Sequence, residues 1–331
     1  MEICRTTRLG SLILFVVVIF SSPSIVAGPK NVTEHVETLG DPHSDRYGDG
    51  HMRYAANIWD MQTYKQRIYL GGGSARNSKP APNAGPVDVI AYDPAQKEFI
   101  KEFSVDDERI GTYRVINDQL MVPGNDATQS WDFGNLYQKK DGKWEKLRTL
   151  PDALHCLDVY GYKDKLYAAI STNKKTGAAI LSSTDNGQSW ESHYINGSRV
   201  YTLFQIGDVL FSTNMFNYGA RYTEDGFQTI KVNKLFPDTA PSPKAPPSKD
   251  NWYGKLVGRP INVGEVCVYI GKRINSGKKK SRMGVFKARL ENGDPTAERF
   301  DLPGQPRDLL KEGEHAVSAL VTMHRPEDDG D

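Results

Sequence analysis

The sequence predicts an all-β fold assembled from repeated four-stranded units, and three observations carry that expectation. An Asp-containing turn recurs at Asp93, Asp141, Asp185 and Asp225, in steps of 48, 44 and 40 residues. A period of about 40–50 residues, with several short strands in each repeat, is that of a propeller blade. A second marker, a turn residue followed by an apolar strand, repeats in step at Arg67–Leu70, Gln119–Val122, Lys165–Ala168, Asp208–Phe211 and Glu265–Val268. Each lies ahead of its Asp turn, where the second strand of a unit belongs. Finally, Gly and Pro punctuate every interval in which an amphipathic helix would have to fit. The expected architecture is a β-propeller of six blades, with the last blade incomplete or completed by the N-terminal segment.

Taken in order, the chain opens on a short basic start (Arg5, Arg8), an apolar run from Leu9 to Phe20, and a Ser/Pro stretch ending on the small residue Ala27. That three-part pattern predicts a signal peptide over 1–27 with cleavage after Ala27, so the protein is expected to be secreted or periplasmic. The apolar run is about a dozen residues, short of the roughly 20 a spanning helix needs. Nothing later is apolar enough to cross a bilayer, so the mature chain is expected to have no membrane span. Residues 28–56 read as an extended lead-in, and 57–331 as the propeller. Five units are expected at about 57–105, 109–150, 154–195, 198–236 and 252–302, the period that fits four short strands. Between the fourth and fifth, residues 237–250 carry Pro237, Pro241, Pro243, Pro246 and Pro247, a composition expected to form an exposed loop rather than a domain linker. The sixth unit offers strands at Arg307–Leu310 and Ala316–Val321. Because unclosed blades expose bare edges, two readings stand: either a strand from the lead-in, Glu34–Leu39, completes the last blade, or the gene is truncated.

Charge and cysteine content exclude several classes. The chain of 331 residues holds 42 Lys and Arg against 41 Asp and Glu. Removal of Arg5, Arg8 and Glu2 with the leader makes it formally neutral. A neutral chain has no global attraction to nucleic acid or anionic lipid, and the Lys278–Arg282 run reads as a solvated hairpin loop. Cys156 and Cys267 fall in apolar strands of non-adjacent units and are expected to be small buried core residues rather than a disulfide. The CxxC, HExxH and EF-hand patterns are missing, so no metal and no cofactor is expected. Gly71–Gly73 is no phosphate cradle, because Pro and Asn follow it where a helix would have to start.

The stretch Ser183-Thr184-Asp185-Asn186-Gly187-Gln188-Ser189-Trp190 reads Ser-x-Asp-x-Gly-x-x-Trp. An Asp there can accept hydrogen bonds from its own turn while Gly supplies the corner with φ > 0 and Trp covers the turn. Thr223–Ile230 is an eroded copy, and Lys140–Trp144 keeps an Asp-Gly turn and a Trp. With the blade period and the export leader, the chain resembles the sialidase-like Asp-box β-propeller superfamily. The box residues Ser183, Asp185, Gly187 and Trp190 are read as structural.

The expected first strand of nearly every unit carries a charge or a His: Trp59 and Asp60, Tyr113 and Arg114, His155 and Asp158, Arg199 and Tyr201, and Arg307. Two readings follow. Either Arg and Asp pair within a wet channel, or the residues form a polar ligand site with aromatic faces for sugar rings and Arg for a carboxylate or sulfate. The loop Val122–Asn135, with Asp126 and Trp131, is the second candidate for ligand contact. The resemblance implies an Arg triad, a Tyr nucleophile with a Glu partner and an Asp acid/base. Arg114, Arg199 and Arg307 stand where a triad would, with Tyr113 or Tyr201 as the nucleophile. The early Arg-Ile-Pro motif of that family is missing, since Arg259-Pro260-Ile261 is late and reversed, and no Glu stands in a first strand. The expectation is therefore an exported, monomeric, non-catalytic propeller that binds carbohydrate or a protein partner at one face of the channel. The alternative is an exo-acting glycoside hydrolase of sialidase type.

Overall fold

The computed structural model describes residues 13–20, 30–31, 36–43, 58–73, 85–172, 177–195, 199–214, 218–237, 254–274, 284–300, 302 and 305–322. The Pro-rich stretch beyond Pro237 and the Lys278–Arg282 run lie outside them. Two N-terminal strands, β1 (Ile13–Phe20) and β2 (Lys30–Asn31), precede the repeats. The first repeat is β3 (Met61–Tyr64), β4 (Arg67–Leu70), β5 (Val87–Asp93) and β6 (Glu98–Val105). The second is β7 (Arg114–Ile116), β8 (Gln119–Pro123), β9 (Phe133–Lys140) and β10 (Lys143–Pro151). The third is β11 (Ala153–Tyr162), β12 (Lys165–Thr172), β13 (Ala178–Ser183) and β14 (Glu191–Tyr194). The fourth is β15 (Val200–Ile206), β16 (Val209–Asn214), β17 (Tyr218–Thr223) and β18 (Gly226–Lys231). The fifth is β19 (Gly254–Val263), β20 (Val266–Ile274), β21 (Gly284–Glu291) and β22 (Asp294–Phe300), and the chain ends in β23 (Gln305–Glu312) and β24 (His315–Thr322).

Each of the five complete repeats is a four-stranded meander, and the sixth sheet has the order β2-β1-β24-β23. The fold is all-β and of the propeller class, built from four-stranded antiparallel blades. The sixth sheet corrects one expectation. Its missing strand is Ile13–Phe20, paired antiparallel with β24 along its whole length, whereas residues 36–39 are not strand. The run Ile-Leu-Phe-Val-Val-Val-Ile-Phe is dense in the β-branched and aromatic residues that favour a pleated surface, and the Glu/Thr-rich lead-in is not.

The repeat is most regular at the turn between first and second strands. Lys65-Gln66, Asn117-Asp118 and Lys163-Asp164 all have two consecutive positive φ angles. That is the type I′ geometry whose twist matches the flanking strands. The apolar markers seen in the sequence are β4, β8, β12, β16 and β20; the first three begin just after such a turn, and the last two follow a turn in which Gly207 or Gly264 alone has positive φ.

The chain divides into two compact units, one of Leu39–Leu203 and Thr223–Gln228, the other of Met1–Thr38, Phe204–Tyr222 and Thr229–Asp331. In the first, Tyr69, Val87, Val89 and Ala91 pack with Tyr113, Leu120, Val122 and Tyr137, joining the first and second sheets. Met121, Leu136 and Leu147 pack with Val159, Ala168, Ile170 and Leu181, joining the second and third. The middle strands β5 and β13 are therefore buried at every position, whereas the outer β14 has no buried residue. In the second unit, Val257, Cys267, Tyr269 and Phe286 form one core and Val263, Ile270, Val285 and Leu309 another. Cys156 and Cys267 are both buried free thiols, as small core residues. Among the described residues no helix is long and apolar enough to cross a membrane.

Candidate functional site

The charged residues of the first strands obey a shared register. Asp158 and Asp308 each stand four residues before the last residue of their strand, Tyr162 and Glu312, and Asp60, just ahead of β3, stands four before its last residue, Tyr64. In each, Oδ1 accepts the next residue's backbone N–H, from Met61, Val159 and Leu309 at 2.8, 2.9 and 2.9 Å. Irregular pairing at Cys156/Asp158 and Pro306/Asp308 marks a β-bulge there, which re-aims the side chain. The second oxygen reaches the following sheet: Asp60 Oδ2 accepts Tyr113 N–H at 2.6 Å, and Asp158 Oδ2 accepts Leu203 N–H at 2.9 Å. Arg114 donates to Asp158 through Nε and Nη2 at 2.8 and 2.7 Å. Of the two sequence readings, this geometry is that of mutual pairing: Asp60, Arg114 and Asp158 stitch one first strand to the next. Arg259 pairs with Asp308 at 3.2 Å in the other unit.

A different cluster gathers at the start of these strands, on the loops leading into β7 and β9. Gly73 permits it. Its φ is +102°, and a Cβ there would lie 2.4 Å from Glu108 O and 2.6 Å from the Arg109 Cα. Only glycine lets the backbones approach closely enough for the Gly73–Arg109 bridge. Two further bridges, Asp107–Ala127 and Asn125–His155, bring the two loops together against the start of β11. Glu108 then lies beside Asp126, and Asp126 Oδ1 contacts His155 Nδ1. All three side chains are buried. Burial, and then the Asp126 charge, push the Glu108 carboxyl up to about 8. Arg109 stands 4.0 Å from Glu108 and 5.2 Å over the Trp59 ring. Desolvation lowers its pKa, and it stays charged.

Asp107 on the same loop accepts from Asn135 Nδ2 at 2.9 Å and from Tyr137 OH at 2.6 Å. Its carboxyl is raised by burial, and the Tyr137 hydroxyl is raised too, by burial and then by the Asp107 charge. Loop 124–132 is braced at both ends: Cys156 N–H donates to Gly124 O at 2.8 Å and Asp152 N–H to Asp132 O at 2.9 Å. Its tip presents Trp131, 46 % exposed, with the indole N–H held by Ala127 O at 3.3 Å. Trp59, 36 % exposed, is held likewise through Gly73 O at 2.8 Å. At the opposite end of the same strands, a cavity of about 460 Å³ is lined by Arg114–Asn117 and Val159–Lys165.

The Ser183–Trp190 stretch forms the turn between β13 and β14. Asp185 Oδ1 accepts Ser189 N–H at 2.9 Å and Ser183 Oγ–H at 2.8 Å, and Asp185 Oδ2 accepts Ser189 Oγ–H at 2.5 Å. Gly187 takes φ +89°, and Trp190 Nε1 donates to Gly187 O at 3.1 Å. These bonds, the Ser189 hydroxyl's first, lower Asp185 to about 2.

The structure thus brings together Trp59, Asp126, Trp131 and His155, places Asp60, Arg114 and Asp158 in inter-strand pins, and puts Arg199 close enough for its charge to act on Arg109. Arg307 belongs to β23, in the other unit. Sequence reasoning missed Glu108 and Arg109. The loop Asp106-Asp107-Glu108-Arg109 follows directly on β6, where such a charged run reads as solvated. The available signal was the Gly71–Gly73 triplet, which marks close backbone approach. Among the described residues no group of three or more His, Cys, Asp or Glu is placed to hold a metal.

No family model and no curated protein matches the chain. Among solved structures it is similar to YCF48 bound to D1 peptide, at 11% identity over 80% of this chain and 76% of that one, with a TM-score of 0.43. It is also similar to Kuenenia stuttgartiensis hydrazine synthase, at 9% identity over 78% and 71%, with a TM-score of 0.48, and to YCF48 from Cyanidioschyzon merolae, at 10% over 79% and 94%, with a TM-score of 0.42. Likeness at this level concerns chain course alone and transfers no residue roles.

Proposed function

We propose that the chain is a non-catalytic propeller of Asp-box type. It binds carbohydrate or a protein partner at the face formed by the loops before β7 and β9. The observation that carries this is the fate of the residues a sialidase would need. Arg114 spends two of its donor groups on Asp158, so it has little left to clamp a substrate carboxylate. Tyr113 is buried, its hydroxyl donates to Leu70 O at 3.1 Å, and desolvation first, then the Asp60 charge, raises it well above its ordinary value. Burial raises Tyr201 as well. An activated nucleophile needs the opposite shift and an adjacent base. What the face does offer is a braced loop with exposed aromatic rings, and braced loops bind at lower entropic cost.

The test is an assay of the purified chain against a sialoside and a panel of aryl glycosides. The expected result is no turnover above background. Turnover that vanishes in Tyr113→Phe or Tyr201→Phe overturns this reading in favour of a hydrolase.

A further inference from the structure

Independently of what the chain binds, we infer that Ile13–Phe20 stays in the working protein as a structural strand of the sixth sheet, and is not discarded with the first 27 residues as their sequence pattern suggests. The edge of β24 carries this. That strand reads His-Ala-Val-Ser-Ala-Leu-Val-Thr, with no Pro, Lys, Arg, Asp or Glu. The fourth strands of the five complete repeats, which end their sheets, all hold charge: Lys101 in β6, Lys146 in β10, Glu191 in β14, Lys231 in β18 and Glu298 in β22. Charge on an edge strand is a guard against pairing with another chain. Without it, β24 has the composition of an interior strand, one paired on both sides.

On one side its partner is β23. On the other it is β1, in a register that runs unbroken from Ile13 opposite Thr322 to Phe20 opposite His315. An antiparallel strand of this length turns about four N–H and about four C=O groups toward each neighbour, and loss of β1 leaves that row of β24 bare. The remaining N-terminal strand does not replace it, because Lys30 and Asn31 of β2 pair with Val16 and Phe15 of β1. With β1 in place, β2 has a different use. A very short outer strand that carries Lys is itself an edge guard. The intact sheet therefore ends as the other five do, on a charged strand. Cut after Ala27, it would end on eight uncharged residues open to any extended segment.

The experiment is amide hydrogen exchange on the purified full chain, with Val17→Pro and Val18→Pro beside it. Proline removes one N–H, and successive residues of a strand turn their N–H groups to opposite neighbours. One variant therefore breaks the ladder to β24, and the other loses an N–H on the side where β2 pairs only with Phe15 and Val16. In the parent, Ile13–Phe20 and His315–Thr322 are expected to exchange about 100-fold or more slowly than an unstructured peptide. One variant should release both segments and the other neither, with β4, β8 and β12 protected throughout. An N-terminal segment that exchanges as unstructured chain in the parent overturns the inference. So does a β24 that stays protected in both variants, which gives its edge to another occupant; a doubled mass in solution then identifies a second copy. If neither variant folds, the intact mass of the chain recovered from a secreting host decides together with the parent's exchange. A folded product beginning at Gly28 overturns the inference, and one that keeps a protected Ile13–Phe20 supports it.

Discussion

Arg114 and Asp158 form a two-pronged ion pair between the first strands of consecutive sheets, Nε to Oδ1 at 2.8 Å and Nη2 to Oδ2 at 2.7 Å. Asp158 also accepts the backbone N–H of Leu203, so one carboxylate ties three first strands. Its side chain is 3 % exposed and that of Arg114 21 %, and the pair holds the Arg114 guanidinium above its already high ordinary value despite burial.

Removing one member leaves the charge of the other, half-buried, without its partner. Asp158→Ala is therefore expected to cost about 3–5 kcal/mol, the usual penalty of an uncompensated buried charge. Urea denaturation of variant and parent measures it. A loss under 1 kcal/mol would mean that the pair is hydrated and does not stitch the strands.

A second buried network lies between the first two sheets. Glu102 accepts from Lys139 Nζ at 2.5 Å, Arg67 Nη1 at 2.8 Å and Trp144 Nε1 at 3.0 Å. Burial pushes its carboxyl up, but the bonds from Lys139, Trp144 and Arg67 together outweigh that and leave it below its ordinary 4.5. Glu102→Gln keeps the shape and removes the charge facing two cations, and is expected to cost about 3 kcal/mol. With a depressed folded value, this contribution is present above pH 4.5 and is lost as pH falls through the folded value. Chemical denaturation at pH 7 and at pH 3 should thus show the variant's deficit shrinking in acid.

The Ser183–Trp190 turn gives the same sign by a different route. Asp185 titrates at about 2 rather than 3.8, so the bonds from Ser189 and Ser183 stabilise the fold above pH 3.8 and fade as pH drops toward 2. Asp185→Ala is expected to lower the melting temperature at pH 7, to approach the parent near pH 2, and to leave sugar binding unchanged where the protein is folded. Lost binding with an unchanged melting temperature would place this turn in the site instead.

The fold was legible because its signals are local. A two-residue turn and the apolar strand after it, as at Lys163-Asp164 and β12, can be read from neighbours in the chain, and so can Asp185 with Gly187. The closing strand was not legible. Ile13–Phe20 has the composition of an export leader and of a β-strand alike, and pairing with β24 is a contact between the two ends of the sequence. The site was half legible: Trp59, Asp126, Trp131 and His155 stand out as chemistry-bearing types. Whether a charged residue is spent or available depends on its partner, and Arg114 finds its partner 44 residues away. Glu108 is the converse, an acid in a charged loop whose burial arises only because Gly73 admits the backbone of a neighbouring loop.

That burial makes the stability of the fold sensitive to alkali through Glu108. Its ordinary value of 4.5 is pushed to about 8, by burial first and then by the Asp126 charge, with Arg109 opposing. Between those two values the folded protein keeps a proton that the unfolded chain has already released. Stability must then fall as pH rises from about 4.5 to about 8 and level off above, since the native state binds more protons over that window. Glu108→Gln has no proton to lose and keeps a donor toward Asp126, so its stability should be flat where the parent's declines. Each unit of the upward shift is worth about 1.4 kcal/mol. The variant is therefore expected to match the parent near pH 5 and to be the more stable of the two, by about 2 kcal/mol or more, at pH 9. Thermal melts of the pair from pH 5 to pH 9 decide it. A parent no less stable than Glu108→Gln at pH 9 would mean that Glu108 is ionised at neutral pH, with Arg109 rather than a proton as its neutralising partner.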